Sequence, residues 1–266
     1  KRQIHNDAQH FSAGVDLNHF RSLIENSEWL EMDEFLGDFQ KVVSKLNYLP
    51  VPVIGAPSGL AIGGGFEVLA HCDALVAHTN STFGLVEAGV GLLPAGGGVK
   101  QTYLRWFNKT QHWDEAAWQC WMQIGYGKIG TSPDMSARYC YFLPDRDRQV
   151  MNKDRIFEQA CALNLNMQEA YTPPEIPTFK LANPTMREKM LAFMENGVSQ
   201  GMFTLHNLTT AMAIADVIVA KEGERQSITE QEMFARERAN FIKLAKTPQT
   251  LTRIASLLDS GTAEQN

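Results

Sequence analysis

With 266 residues, 44% of them hydrophobic and 20% charged, the chain is long enough to bury a core and too apolar to be disordered throughout. A net charge of -6 argues against a nucleic-acid surface, which needs a basic patch; Arg146, Arg148, Lys153 and Arg155 gather locally, but among aspartates, as on a solvated turn. No apolar run approaches the roughly 18 residues of a membrane span, no signal peptide is visible, and Cys72, Cys120, Cys140 and Cys161 show neither a close pair nor zinc spacing. Free thiols in a bacterial-type cytoplasm or another reducing compartment are the expectation.

Lys1 to His10 is short and polar and leads straight into a motif, as though the chain began inside a domain. Glu31 to Leu46 reads as an amphipathic helix, because Met32, Phe35, Leu36, Phe39, Val42, Val43 and Leu46 recur at spacings of three and four. Leu49-Pro50-Val51-Pro52 ends it, since proline restricts the residue before it and supplies no N–H to the helical ladder. Val51 to Ile54 then reads as a buried strand, Leu60 to Ile62 as an apolar approach to a triple glycine, Gly65 to His71 as a short helix, and Ala74 to Ala77 as a second buried strand. Strand, glycine turn, helix and strand imply a parallel α/β layer with its functional edge at the turn.

Beyond Val99 the pattern becomes helical. Helices are expected over Lys100 to Phe107, Asp114 to Met122 and Asn152 to Leu163. Pro173, Pro174, Pro177 and Pro184 predict a long irregular connection. An apolar helix follows around Leu208 to Val219, then a capping-box start at Thr229–Glu232 for a helix through Leu244, and a last helix carrying Leu251, Ile254, Leu257 and Leu258. These patterns predict an α/β core over 1–165 and a helical region over 166–266.

Two glutamates, Glu67 and Glu87, stand twenty positions apart, each beside glycines: Gly63-Gly64-Gly65-Phe66-Glu67 and Phe83-Gly84-Leu85-Val86-Glu87. Glycines let backbone N–H groups approach a ligand closely, and two carboxylates can divide acid and base work. The first turn is either a tight packing corner or a helix start whose N–H groups bind an oxyanion. It lacks the Gly-Lys-Ser/Thr of a phosphate loop and the downstream acid of a dinucleotide site. Gly96-Gly97-Gly98 reads as a helix-start turn. Glu67 falls in the first turn of its helix, where a carboxylate suits the positive dipole end. Glu87, between Val86 and Ala88, has an apolar setting that suits a general acid. His71-Cys72-Asp73 reads as structural, because neighbouring residues on a helix point in different directions. The tryptophans and methionines read as packing residues.

Together these motifs resemble the crotonase (enoyl-CoA hydratase/isomerase) superfamily. Phe11-Ser12-Ala13-Gly14-Val15-Asp16-Leu17 is similar to its first signature, Ala61 to Glu67 through Asp73 to its second, and Phe83 to Glu87 with Gly89 to Gly97 to its third. The match covers roughly residues 10–165, and the remainder resembles the hydratase half of fusions with 3-hydroxyacyl-CoA dehydrogenase. The resemblance implies a crotonase-like (ClpP/crotonase) spiral of ββα units with a helical C-terminal region. The family places about fifty residues of strands and helix before its first signature, and ten stand there here. It further implies an oxyanion hole from the Val15 and Gly64 N–H groups, with Glu67 activating water and Glu87 protonating the α-carbon. Ala13, Gly14, Asp16 and Leu17 would border the CoA path. No metal and no cofactor is implied, since CoA arrives with the acyl-CoA substrate. A homotrimer or higher oligomer and a covalently linked dehydrogenase domain are the partners it implies. The leading expectation is a 2-enoyl-CoA hydratase of fatty-acid β-oxidation; a 3-enoyl-CoA isomerase and a non-catalytic CoA-ester-binding or trimerisation module are the alternatives.

Overall fold

The computed structural model describes residues 2–266. The first elements in chain order are β1 (Arg2–Ile4), α1 (Leu17–Glu25), α2 (Trp29–Asn47), β2 (Val53–Gly55), β3 (Leu60–Ile62), α3 (Gly64–Ala70), β4 (Ala74–His78) and β5 (Thr82–Gly84). After a 3-10 turn over Glu87–Val90 come α4 (Gly98–Thr110), α5 (Trp113–Gly125), β6 (Ile129–Gly130), α6 (Pro133–Ala137), β7 (Arg148–Val150) and α7 (Ile156–Gln168). The last are β8 (Phe179–Lys180), α8 (Pro184–Ser199), α9 (Leu205–Ile218), β9 (Ser227–Ile228), α10 (Glu230–Ala245) and α11 (Pro248–Ser260).

The elements group into two compact units that interleave along the sequence. Among the described residues, one takes 2–15, 39–85 and 128–176; the other takes 16–38, 86–127 and 177–266. This grouping differs from a single division at 165/166. The helical unit gathers earlier segments as well, because α4 and α5 bury apolar faces with α9, and α1 packs with α11.

The α/β unit is built on a parallel sheet in the order β1-β2-β4-β7. Its register sets Gln3 beside Ile54, Ile54 beside Ala74, and Ala77 beside Gln149. β4 is apolar nearly throughout and buried along its length up to His78, as expected of a parallel strand covered on both faces. Ile54, Ala56, Ala74 and Val76 share one core with Ile156 and Ala160 of α7, and Leu163 packs against it. The Ile156, Ala160 and Leu163 face is the one that the helical spacing predicts. β1 forms from residues that the sequence pattern leaves as a polar lead. A second sheet, β3-β5-β6, pairs β3 with β5 in parallel and β5 with β6 antiparallel. Both β3 and β5 run directly into glycines, which sets the site's turns at sheet ends.

The helical unit packs α4 on α5, α5 and α8 on α9, and α9 on α10. Val99, Tyr103, Ala117, Cys120, Ile214, Ile218, Met233 and Leu244 are among the residues buried along those helices. The Thr229–Glu232 capping box forms as expected: Glu232 N–H donates to Thr229 Oγ1 at 3.2 Å, and Thr229 N–H donates to Glu232 Oε2 at 2.7 Å. One helix was hidden by its own start signal. Pro184, read with the other prolines as part of an irregular connection, occupies the first turn of α8, where its missing N–H costs nothing.

Candidate active site

In the α/β unit the first signature loop runs beside β3. Ser12 N–H donates to Leu60 O at 2.9 Å, and Ile62 N–H donates to Ser12 O at 3.1 Å. Gly14 follows with φ at 97°, a left-handed conformation that favours glycine, and its N–H donates to Ser12 Oγ at 3.1 Å. This carries the loop onto the start of α3. A Cβ placed on Gly14 would lie 3.8 Å from Gly64 N, and one placed on Gly64 would lie 3.5 Å from Val15 Cγ1. Gly14, Val15 and Gly64 therefore meet at one end of a helix, though nearly fifty residues separate the two segments. Among the described residues, neither the Val15 nor the Gly64 N–H donates to an acceptor of the chain.

Each glycine of the triplet has its own reason. Gly63 is the N-cap of α3 at φ 55°; its N–H donates to Gly84 O, and its carbonyl accepts from Phe66 and Glu67. At Gly65 a Cβ would fall 2.4 Å from Ser12 Cβ, so only glycine lets the loop approach this closely. Glu67 follows in the first turn of α3, 3% exposed, as its position past the glycines implies. His71 Nδ1–H donates to the Glu67 carbonyl at 2.7 Å. Cys72 Sγ donates to Val68 O at 3.5 Å. Asp73 accepts from Val53 N–H at 2.7 Å and from the Tyr171 hydroxyl at 2.9 Å, with burial raising its pKa. The three neighbours engage separate partners, as the helical directions require. Phe66 packs edge-on to Tyr141 with ring centres 4.6 Å apart, and the Tyr141 hydroxyl accepts from Leu85 N–H at 3.2 Å.

Glu87 belongs to the helical unit, as do Asp16 and Leu17, whereas Ala13, Gly14, Val15, Gly64 and Glu67 belong to the α/β unit. Glu87 opens the 3-10 turn, and its carbonyl accepts from Leu92 N–H at 3.0 Å. The turn closes at Gly91, with φ at 77°, where a Cβ would come within 2.5 Å of His206 Nε2. Thr250 Oγ1 donates to the Gly91 carbonyl at 2.9 Å and lies 3.0 Å from His206 Nε2. A hydroxyl has one proton, and Thr250 commits it to Gly91, so His206 is the donor from Nε2. Burial, reinforced by the Arg253 charge, pulls the His206 pKa down to about 4 and keeps that ring neutral. Asp16 caps α1, accepting from Asn18 N–H at 2.9 Å, and Leu17 is the first residue of that helix.

The third glycine cluster is occupied by the protein itself. Gly97 and Lys100 N–H groups donate to the two Glu237 carboxylate oxygens at 2.8 and 2.7 Å. Lys100, fully buried, donates from Nζ to Glu230 at 2.5 Å and stands 4.3 Å from the Phe234 ring centre. Burial lowers the Lys100 pKa, and Glu230 opposes that shift. Sequence spacing gives no sign of Glu230 or Glu237, which lie 130 and more positions away.

The helical unit also carries a partly open cavity of about 360 Å³. Val86, Ala88 and Gly89, which bracket Glu87 in sequence, form part of its wall; Trp121, Phe193 and Phe203 supply aromatic surface, and Arg253 lines it too. The sequence reading assigned the tryptophans to packing and left Arg253 unmarked, because the wall is assembled from widely separated stretches of chain.

Residues 5–110 match the family model described as enoyl-CoA hydratase/isomerase. A Bacillus subtilis (strain 168) protein named "probable 3-hydroxyacyl-CoA dehydrogenase" is 27% identical over 265 residues, which cover 99% of this chain and 34% of that protein. The fatty acid oxidation complex subunit alpha of Idiomarina loihiensis is 40% identical over 89 residues, 34% of this chain and 12% of its own. This chain spans about a third or less of those relatives' length. The crystal structure of a carnitinyl-CoA dehydratase from Mycobacterium thermoresistibile superposes with a TM-score of 0.65 at 16% identity, covering 96% of this chain and 74% of that one. That likeness is one of fold.

Proposed function

Since the chain belongs to the crotonase (enoyl-CoA hydratase/isomerase) superfamily, we propose that it adds water across the double bond of 2-enoyl-CoA thioesters, giving 3-hydroxyacyl-CoA. The observation that carries this reading is the presence of both glutamates, each directly after a glycine-rich sheet end. Hydration needs one group to take a proton from water and another to deliver a proton to the α-carbon. Glu67 takes the first role in this reading and Glu87 the second, with syn addition. As the β-carbon is attacked, negative charge moves to the thioester oxygen, and the Val15 and Gly64 N–H groups receive it. Each such preorganised donor lowers a barrier by about 2.7–4 kcal/mol. Ala13, Gly14, Asp16 and Leu17 border the CoA path, and CoA is the only carrier the scheme uses.

The relatives' names support a place in fatty-acid β-oxidation within a longer chain that also carries a dehydrogenase. Assembly as a homotrimer or higher oligomer belongs to the same proposal. The test is loss of enoyl-thioester absorbance on hydration by the complete polypeptide, over several acyl lengths. No turnover at any length sinks the reading. The family description also names isomerases, and conversion of a 3-enoyl-CoA without hydration of a 2-enoyl-CoA would establish that reading instead. Binding of CoA esters without either reaction would mark a non-catalytic module.

A further inference from the structure

The turn that carries Glu87 is tied to two helices through one peptide group. Between Gly91 and Leu92, the N–H donates to the Glu87 carbonyl at 3.0 Å, and the C=O accepts from Thr250 Oγ1 at 2.9 Å. A trans peptide is planar and points those two groups in opposite directions, so a hold on the carbonyl fixes the N–H that Glu87 receives. Thr250, on α11, has no exposed surface, and its oxygen accepts from Thr247 Oγ1 at 2.9 Å. His206, on α9 and buried, donates to the same oxygen from Nε2 at 3.0 Å. With its oxygen so engaged, the one proton of the hydroxyl is left directed at Gly91. A Cβ at Gly91 would stand 2.5 Å from His206 Nε2 and 2.8 Å from Thr250 Oγ1, so the ring and the hydroxyl lie directly on the turn. Valine at position 250 would fill nearly the same volume without burying polar atoms, which cost free energy wherever their bonds are imperfect. What the hydroxyl adds over that apolar contact is direction.

We propose that Thr250, aligned by His206, is a positioning residue for Glu87: it orients the Gly91–Leu92 peptide and so sets where the turn presents the Glu87 carboxyl group. The inference rests on the hydratase reading of Glu87. All of these residues lie in one compact unit, where α9 and α11 both pack on the turn. Neither side chain exchanges a proton with substrate in this scheme; each acts through the backbone of the turn. Misplacing a reacting group by about 1 Å can cost about 10²-fold in rate. Loss of a directional tether should therefore show in kcat rather than in affinity.

Hydration kinetics of the complete polypeptide with 2-hexenoyl-CoA, or with whichever acyl length turns over fastest, test this alongside amide hydrogen exchange over residues 86–93. Thr250→Val should lower kcat by about tenfold or more with KM little changed. Thr250→Ser, which keeps the hydroxyl, should recover most of that loss. In Thr250→Val the Leu92 amide should also exchange faster by about tenfold or more, while amides in the middle of α11 keep their protection. A merely structural role would lower the melting temperature and leave kcat intact. Unchanged kcat, a loss confined to KM, a serine variant as impaired as the valine one, or unchanged exchange at Leu92 would overturn the proposal. Should Thr250→Val not fold, His206→Leu, which removes the donor that aligns the hydroxyl, takes its place, with His206→Gln as its conservative counterpart and the same expected and overturning results. If the unaltered polypeptide hydrates no ester, the hydratase reading falls alone, and exchange at Leu92 then decides the tether.

Discussion

Two glycine triplets open helices in this protein, Gly63 to Gly65 before α3 and Gly96 to Gly98 before α4, and they are put to different use. At the second, Glu237 fills the helix start, taking the Gly97 and Lys100 N–H groups on its two oxygens. A buried carboxylate there satisfies orphan donors and the positive end of the helix dipole together. At the first, no carboxylate among the described residues takes that place; the first signature loop closes on it instead, bringing Val15 beside Gly64. Composition alone would assign both turns the same role. What separates them is whether the fold supplies the anion itself.

Four substitutions or conditions test that contrast. The largest effect is expected at Glu87, where Glu87→Gln should cut hydration by about 10²–10⁴-fold while sparing CoA-ester affinity; steady-state kinetics with unchanged turnover would contradict its proposed role. At the occupied turn, Glu237→Ala should cost about 3–5 kcal/mol of stability, because buried donors and the nearby Lys100 lose their carboxylate. Urea denaturation measures this, and a loss below about 1 kcal/mol would mean that the turn does not need its internal anion.

The third effect concerns how the Glu87 turn is held. The folded His206 pKa of about 4 lies below its ordinary 6.5, so the unfolded chain takes up the proton first as pH falls. This contribution is complete above pH 6.5 and is lost as pH drops from 6.5 toward 4, by up to about 3 kcal/mol. Denaturation midpoints measured at several pH values should therefore fall less steeply over this range in His206→Gln. An identical slope in the variant would remove His206 as the cause. The smallest effect is expected at the first triplet, where Gly65→Ala drives a Cβ against Ser12 and should cost about 1–3 kcal/mol with a drop in turnover. Gly89→Ala, with nothing within 4 Å of its Cβ, is the matched control on thermal stability. Equal melting temperatures for the two variants would show that the loop tolerates displacement.

Much of the chain's local structure was legible in advance. The run from Met32 to Leu46 lies within α2, the Thr229–Glu232 box caps α10, and Glu67 occupies the first helical turn expected of it. Each depends on residues within a few positions of one another. Of the helices that escaped, α8 and α1 did so for reasons equally local. Pro184 is a start signal that was weighed as a breaker, and Asp16, considered as part of a ligand path, caps α1, whose Phe20, Leu23 and Ile24 are buried at helical spacing.

By itself, the sequence determined the glycine turns, the order of the three signatures and the two glutamates, because backbone freedom and carboxylate chemistry belong to individual residues and short spacings. Tertiary structure alone decided that Gly65 must admit Ser12, that Glu237 occupies the second helix start, and that Arg253 joins aromatic side chains from distant helices around one cavity. Those outcomes depend on close packing and on burying charges beside partners far away in the chain, and no local pattern encodes which distant residue will arrive.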